Sequence, residues 1–170
     1  MIQTYFGNGK GKTTSAIGSA IRCAGCENRV LYVQLLKNND SAEFKILETI
    51  ENIDVLFSKE HYSLYDNLNK ERDKSFTIAY RKLVFEDVAE ISKNYQMIIF
   101  DEILDAVDFG YIDENELVKF ISSLGAQTEI ILTGHKISKK IVGISDYVSE
   151  IKEIKHPYNK GVTSRKGIEY

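Results

Sequence analysis

Gly7-Asn8-Gly9-Lys10-Gly11-Lys12-Thr13-Thr14 decides how the rest of the chain is read. Ile2 to Phe6 ahead of it is rich in β-prone residues, and Thr14 to Cys23 behind it places Ala and Ile at helical spacing. The glycines therefore fall at a strand-to-helix turn, the context a phosphate-binding loop requires. Glycine lets backbone N–H groups turn inward with no Cβ in the way, and the following helix directs its partly positive N-terminus at the same point. Lys12 adds a full charge for phosphate, Lys10 a second, and the Thr13 hydroxyl suits a phosphate-bound Mg²⁺. Gly7, Asn8, Gly9, Lys10, Gly11, Lys12, Thr13 and Thr14 are the candidate nucleotide-binding residues. The common spacing would put the first glycine at position 6, where this chain has Phe6. Counted from Gly7, the loop is one residue short and its cradle smaller.

The 170 residues fit a single domain over 1–170, and 43% hydrophobic content suffices for a substantial core. A net charge of −3, with no long basic run, argues against nucleic acid as the main partner. No apolar stretch approaches a membrane span and the opening residues lack a secretion-signal pattern, so a soluble, cytoplasmic protein is expected. Cys23 and Cys26 form a C-x-x-C, but at the end of the first helix, not after a strand at the start of one. With His61, His135 and His156 scattered, neither a redox pair nor a zinc site is expected, and Cys23 reads as a small buried residue.

Outward from the loop, Ser15 to Ala24 reads as a helix and Arg29 to Leu35 as a buried strand, the first β-α-β unit. A short helix is expected around Phe44 to Ile50, and a strand at Ile53 to Phe57. Residues 58–74 are polar and irregular and read as a functional loop carrying Tyr62 and Tyr65. Phe76, Tyr80, Leu83, Val84, Val88 and Ile91 predict an amphipathic helix of about five turns. Met97 to Phe100 is an apolar strand ending on Asp101-Glu102, a carboxylate position suited to Mg²⁺ beside a phosphate loop. A helix over Asp113 to Leu124 has Asp113 and Glu116 in capping-box positions. A strand at Glu129 to Gly134, a short helix at Ile137 to Ile144 and an edge strand at Tyr147 to Ile154 follow. Alternating strands and helices give an α/β fold, a mostly parallel sheet flanked by helices, with ligands at the carboxyl ends of the strands. The loop, the region after Leu35, Asp101-Glu102 and Thr133-Gly134 share that rim.

With these pieces placed, the chain resembles the ATP:corrinoid adenosyltransferases of the branch built on a RecA-like P-loop nucleotide-binding fold. The resemblance lies in the short loop Gly7 to Thr14, Val33-Gln34, Asp101-Glu102, Gly110-Tyr111-Ile112-Asp113 and Leu132-Thr133-Gly134. It is most distinctive in Lys155-His156-Pro157-Tyr158 with Gly161 and Lys166-Gly167-Ile168-Glu169-Tyr170. It implies transfer of the 5′-deoxyadenosyl group of ATP to the cobalt of a reduced corrinoid, with triphosphate released and ATP bound in the reverse sense to ordinary phosphate-loop enzymes. By the same resemblance Lys12, Thr13 and Glu102 are the catalytic candidates. Lys10, Lys12 and the loop amides hold phosphates, Thr13, Asp101 and Glu102 form the Mg²⁺ site, and Tyr62 and Tyr65 face the corrinoid. It also implies a homodimer and a flavoprotein reductant.

The chain departs from the family pattern at three places. It has no Trp, where the family carries an aromatic stretch after the third strand, and it offers Phe57, His61, Tyr62 and Tyr65 instead. His135 stands where an arginine commonly follows Leu-Thr-Gly. With the loop at the seventh residue, the N-terminal extension of some members is not expected. The residues alone also admit an ordinary P-loop ATPase or small-molecule kinase, or a non-catalytic regulator that binds ATP or a corrinoid.

Overall fold

A computed structural model describes residues 1–37, 42–58, 70–163 and 165–168, with residues 70–73 and 159 described for their backbone alone. Six strands form one parallel sheet: β1 (Ile2–Phe6), β2 (Val30–Gln34), β3 (Ile53–Phe57), β4 (Met97–Asp101), β5 (Glu129–Gly134) and β6 (Tyr147–Glu150). Their order across the sheet is β3-β2-β4-β5-β1-β6. Parallel neighbours require crossovers, and these are helical: α1 (Lys12–Ala24), α2 (Ala42–Leu47), α3 (Lys70–Lys82), α4 (Val88–Ile91), α5 (Ile103–Asp108), α6 (Glu114–Ser123) and α7 (Lys139–Ile144).

Strand alternation divides the core into two layers. Met97 and Ile99 of β4 join Val30, Tyr32 and Ile131 beneath Ala16, Ala20 and Ala24 of α1, whose small side chains at four-residue spacing leave room for the sheet. Ile98 and Phe100 join Leu31, Val33, Ile130 and Leu132 on the opposite face, under Phe76, Tyr80, Val84, Val88, Leu117 and Ile121. Each such buried aliphatic or aromatic side chain contributes about 2 kcal/mol of transfer free energy. Phe76, Tyr80, Leu83, Val84 and Val88 are therefore core, as their spacing predicts, and Ile91 packs partly buried against it. Their helix is interrupted by a π-helical stretch at Leu83–Asp87 and closes with a 3₁₀ turn at Ser92–Asn94.

Several boundaries differ from expectation. α3 starts at Lys70, so the last residues of the expected 58–74 loop are helical. α1 begins at Lys12, inside the phosphate-loop motif, because Gly11 with its left-handed backbone serves as N-cap. Strand β6 stops at Glu150; the Ile151 amide still donates to the Phe6 carbonyl at 2.7 Å, while its own carbonyl accepts from the loop. The short helix α5 was not anticipated. Asp113 does cap α6, its side chain accepting from the Glu116 amide at 2.9 Å. Cys23 is half-buried instead of buried, and both thiols are free. Burial, together with Cys26, pushes the Cys23 thiol pKa up, away from reactivity. No helix among the described residues is long and apolar enough to cross a membrane.

Candidate active site

The loop between β1 and α1 is held by the chain's own C-terminal segment. The Gly9 amide donates to the Ile151 carbonyl at 2.8 Å, and the Gly7 amide donates to the carbonyls of Gly134 and His135 at 3.2 and 3.1 Å. Asn8 Oδ1 accepts from the Glu153 amide at 3.1 Å, and Lys10 Nζ donates to the Ile168 carbonyl at 2.9 Å. This close approach explains two of the glycines. A Cβ on Gly7 would lie 2.4 Å from the Ile151 oxygen, and one on Gly9 would lie 2.8 Å from the same atom. Gly7 also has φ +118, which side-chain-bearing residues rarely adopt. Lys12 is buried, and its ammonium donates to the Gly9 carbonyl across the loop at 3.1 Å. Thr14 is exposed on the first turn of α1.

Strand β5 lies between β1 and β4, so the loop and the acidic strand end are separated by one strand. Thr133 spans the gap. Its hydroxyl donates to Asp101 Oδ1 at 2.7 Å and accepts from the Glu102 amide at 2.8 Å. Asp101 is fully buried and also accepts from the Thr13 hydroxyl at 3.0 Å and from Lys37 Nζ at 2.7 Å. Burial and the neighbouring Asp101 push the Tyr32 phenol well above its ordinary pKa, keeping it neutral beside that carboxylate. Lys37 Nζ further donates to Thr13 Oγ1 at 3.0 Å and lies 3.7 Å from Glu102 Oε1. Burial would lower the Lys37 pKa, but Asp101 and Glu102 outweigh it and hold the ammonium above its ordinary value.

Glu102 takes φ +63 as the N-cap of α5, so the chain turns sharply where the strand ends. The turn brings Asp105 against the end of β5, where the His135 amide and ring Nδ1 approach Asp105 Oδ2 at 3.1 and 3.0 Å. Burial, the hydrogen bond to Asp105 and the charge of Asp101 push the Glu102 carboxyl up to about 8. Burial alone would raise Asp105 too, but the hydrogen bonds from Glu102 and His135 bring it below the ordinary carboxylate value. The shifts favour the protonated form of Glu102, hydrogen-bonded to the Asp105 carboxylate. Ligand atoms of Glu102, Asp105 and His135 lie within 4.8 Å of one another.

Of the residues singled out by sequence, Thr13, Asp101 and Glu102 converge at one point of the rim, with Lys12 on the adjoining loop. Asn8, Gly9 and Lys10 are hydrogen-bonded to the C-terminal segment, Gly7 donates to the end of β5 while packing on Ile151, and Gly11 caps α1. Tyr62 and Tyr65 lie outside the described residues. Two participants were missed. Lys37 follows the carboxyl end of β2, and that position on the rim was its one signal. Asp105 sits on the unanticipated helix, with no local pattern to mark it.

A family model described as "ATP:corrinoid adenosyltransferase BtuR/CobO/CobP" matches residues 1–170. The chain belongs to this family. Among its relatives, a corrinoid adenosyltransferase of Escherichia coli strain K12 is 30% identical over 173 residues, spanning 100% of this chain and 85% of the relative. The corrinoid adenosyltransferase CobA of Salmonella typhimurium is 26% identical, with 100% and 85% covered. Among solved structures, the flagellar accessory protein FlaH of Methanocaldococcus jannaschii superimposes with TM-score 0.54 at 18% identity, over 84% of this chain and 65% of that one. The cytoplasmic domain of EssC gives 0.54 at 16% identity, over 96% and 33%. These structures speak for the fold alone, and with the strand order they fit the RecA-like branch of phosphate-loop proteins. His135, which follows Leu132-Thr133-Gly134, is hydrogen-bonded to Asp105.

Proposed function

We propose that this chain, acting as one domain, transfers the 5′-deoxyadenosyl group of ATP to the cobalt of a reduced corrinoid and releases triphosphate. The observation that carries the proposal is the family match over residues 1–170, and the geometry of the rim supports its ATP half. Lys12 is held by a neutral carbonyl, a partner that a phosphate oxygen outcompetes because a charge-assisted hydrogen bond is about twice as strong. Thr13, with its hydroxyl on Asp101, and Glu102 would hold Mg²⁺, while Asp101, fixed by Thr133, orients that shell. The residues fit a cation, since an ammonium already lies among Thr13, Asp101 and Glu102. Bound there, Mg²⁺ would offset charge on the leaving triphosphate.

In the reaction, the cobalt electron pair forms the bond to ribose C5′ as the C5′–O bond breaks, and the triphosphate leaves with the bonding pair. No protein base is required, so the side chains act by positioning and by stabilising the leaving group. The Gly7 and Gly9 amides donate to protein carbonyls, which supports a cradle smaller than that of ordinary phosphate-loop enzymes. We further propose Tyr62 and Tyr65 as the corrinoid-facing residues, a homodimer as the working form and a flavoprotein as the electron donor that the reduced cobalt requires. The cytoplasm, with its ATP and its reducing conditions for Cys23 and Cys26, is the compartment we assign.

Anaerobic incubation with ATP, Mg²⁺ and chemically reduced corrinoid tests the reading. A light-sensitive adenosylated corrinoid and equimolar triphosphate are expected. Release of ADP or inorganic phosphate would point to an ATPase or kinase, and ATP binding with no product would point to a regulator.

A further inference from the structure

We propose that Lys37 is a resident counter-cation of the metal site, which must be expelled before a divalent ion can enter. The inference rests on the reading of Thr13, Asp101 and Glu102 as that site. Three contacts place the ammonium within it: 2.7 Å to Asp101 Oδ2, 3.0 Å to Thr13 Oγ1 and 3.7 Å to Glu102 Oε1. Mg²⁺ takes oxygen ligands, and the Thr13 hydroxyl and Glu102 carboxylate that would bind it are oxygens the ammonium already approaches, so the two cations compete for the same oxygens.

The backbone supplies an independent observation. Leu36, next to Lys37, has φ +52, a left-handed conformation that a branched side chain avoids. It is kept by packing of Leu36 on the core and by its amide, which donates to the Tyr80 hydroxyl at 3.3 Å. Leu35 is tied in turn to the Asp101 carbonyl at 3.1 Å. The turn brings Lys37 back over the strand ends and onto the acids. Asp101 is fully buried, and among the described residues Lys37 is its ionic partner, without which its charge would be costly in a low-dielectric site. Lys37 relieves that cost in the absence of nucleotide. It also raises the threshold for a bare metal ion, so metal and ATP enter together and the leaving-group site is not filled by metal alone.

The test is binding of Mn²⁺ to the full chain, read from the free-ion electron paramagnetic resonance signal without any corrinoid. In the nucleotide-free protein, Lys37→Met is expected to tighten Mn²⁺ binding by at least about tenfold over wild type. Lys37→Arg, which keeps the charge, should remain weak. With ATP present, wild type and both variants should retain Mn²⁺ similarly. An unchanged or weaker affinity in nucleotide-free Lys37→Met overturns the proposal. Absence of protein-bound Mn²⁺ even with ATP would overturn the metal-site reading itself. Should Lys37→Met not fold, the unmodified protein decides: site-filling Mn²⁺ must speed acetylation of Lys37, read by peptide mass spectrometry, and an unchanged rate rejects the expulsion.

Discussion

The two halves of the rim are built by different physics. At the loop, position is set by missing atoms: Gly7 and Gly9 lack the Cβ that would meet Ile151, and main-chain hydrogen bonds lock the approach. At the acidic strand end, position is set by side chains, with Thr133, Thr13 and Lys37 all bonded to Asp101 and Glu102 hydrogen-bonded to Asp105. A fault in the first half should act through sterics and be insensitive to pH. A fault in the second should act through charge and hydrogen bonding and depend on pH or metal.

The largest expected effect belongs to the loop. Gly7→Ala adds a Cβ 2.4 Å from a backbone oxygen at φ +118, so neither partner can yield cheaply. Conformational strain and overpacking together should cost about 3 kcal/mol or more in urea unfolding, equally at acid and neutral pH. A cost under about 1 kcal/mol would mean the C-terminal segment gives way, and the contrast between the halves would fail. Next comes Thr133→Val, which keeps the shape but removes the donor to Asp101 and the acceptor for the Glu102 amide. About 2 kcal/mol of stability should be lost. Substituting Thr133→Ser should recover most of it, because the hydroxyl and not the methyl carries the role.

The sequence shows the first half better than the second, for a physical reason. A phosphate loop, a strand of alternating core residues and an N-cap such as Asp113 are local, so composition and spacing over a few residues reveal them. β1, β3 and β5 accordingly run as expected, and Asp101-Glu102 does end a buried strand. Lys37 reaches Asp101 across 64 positions of chain, and Asp105 meets His135 across 30. No local propensity encodes such a meeting. α5 escaped notice because it is short and starts from Glu102 in a left-handed turn, where no Ser, Thr, Asp or Asn announces a cap. The C-terminal clamp escaped as well: the resemblance drew attention to Lys155 to Tyr158, but the contact that explains Gly7 and Gly9 is made by Ile151, ahead of that stretch.

The third prediction uses pH to separate the halves. Glu102 carries a folded-state value of about 8 against 4.5 for the ordinary carboxyl. Between these values the folded protein holds a proton that the unfolded chain has released. Stability in metal-free buffer should therefore fall as pH rises through that window, by at most about 1.4 kcal/mol per pH unit. Asp105 shifts downward from 3.8 and acts only at more acid pH, so the two do not overlap. Glu102→Gln mimics the neutral acid and should flatten the slope. Denaturant midpoints at about pH 5 and about pH 8 for both proteins supply the measurement. Parallel curves for wild type and variant would remove Glu102 as the source.

The smallest effect tests what holds the loop to the C-terminal segment. Lys10 donates to the Ile168 carbonyl from an exposed position, whereas Gly9 donates to Ile151 from a buried one. An exposed side-chain contact of this kind exchanges readily with water and pays the entropy of a long flexible chain. Lys10→Met should therefore change stability by less than about 0.5 kcal/mol, if the clamp is a main-chain device as the glycine geometry implies. ATP affinity is a different matter, because a lysine that moves to a phosphate oxygen forms a charge-assisted bond, and its loss should weaken binding by about tenfold. The two readouts should thus separate in this one variant. A large loss of stability with unchanged ATP affinity would reverse the assignment, making Lys10 part of the clamp and leaving Lys12 to hold the phosphates without it.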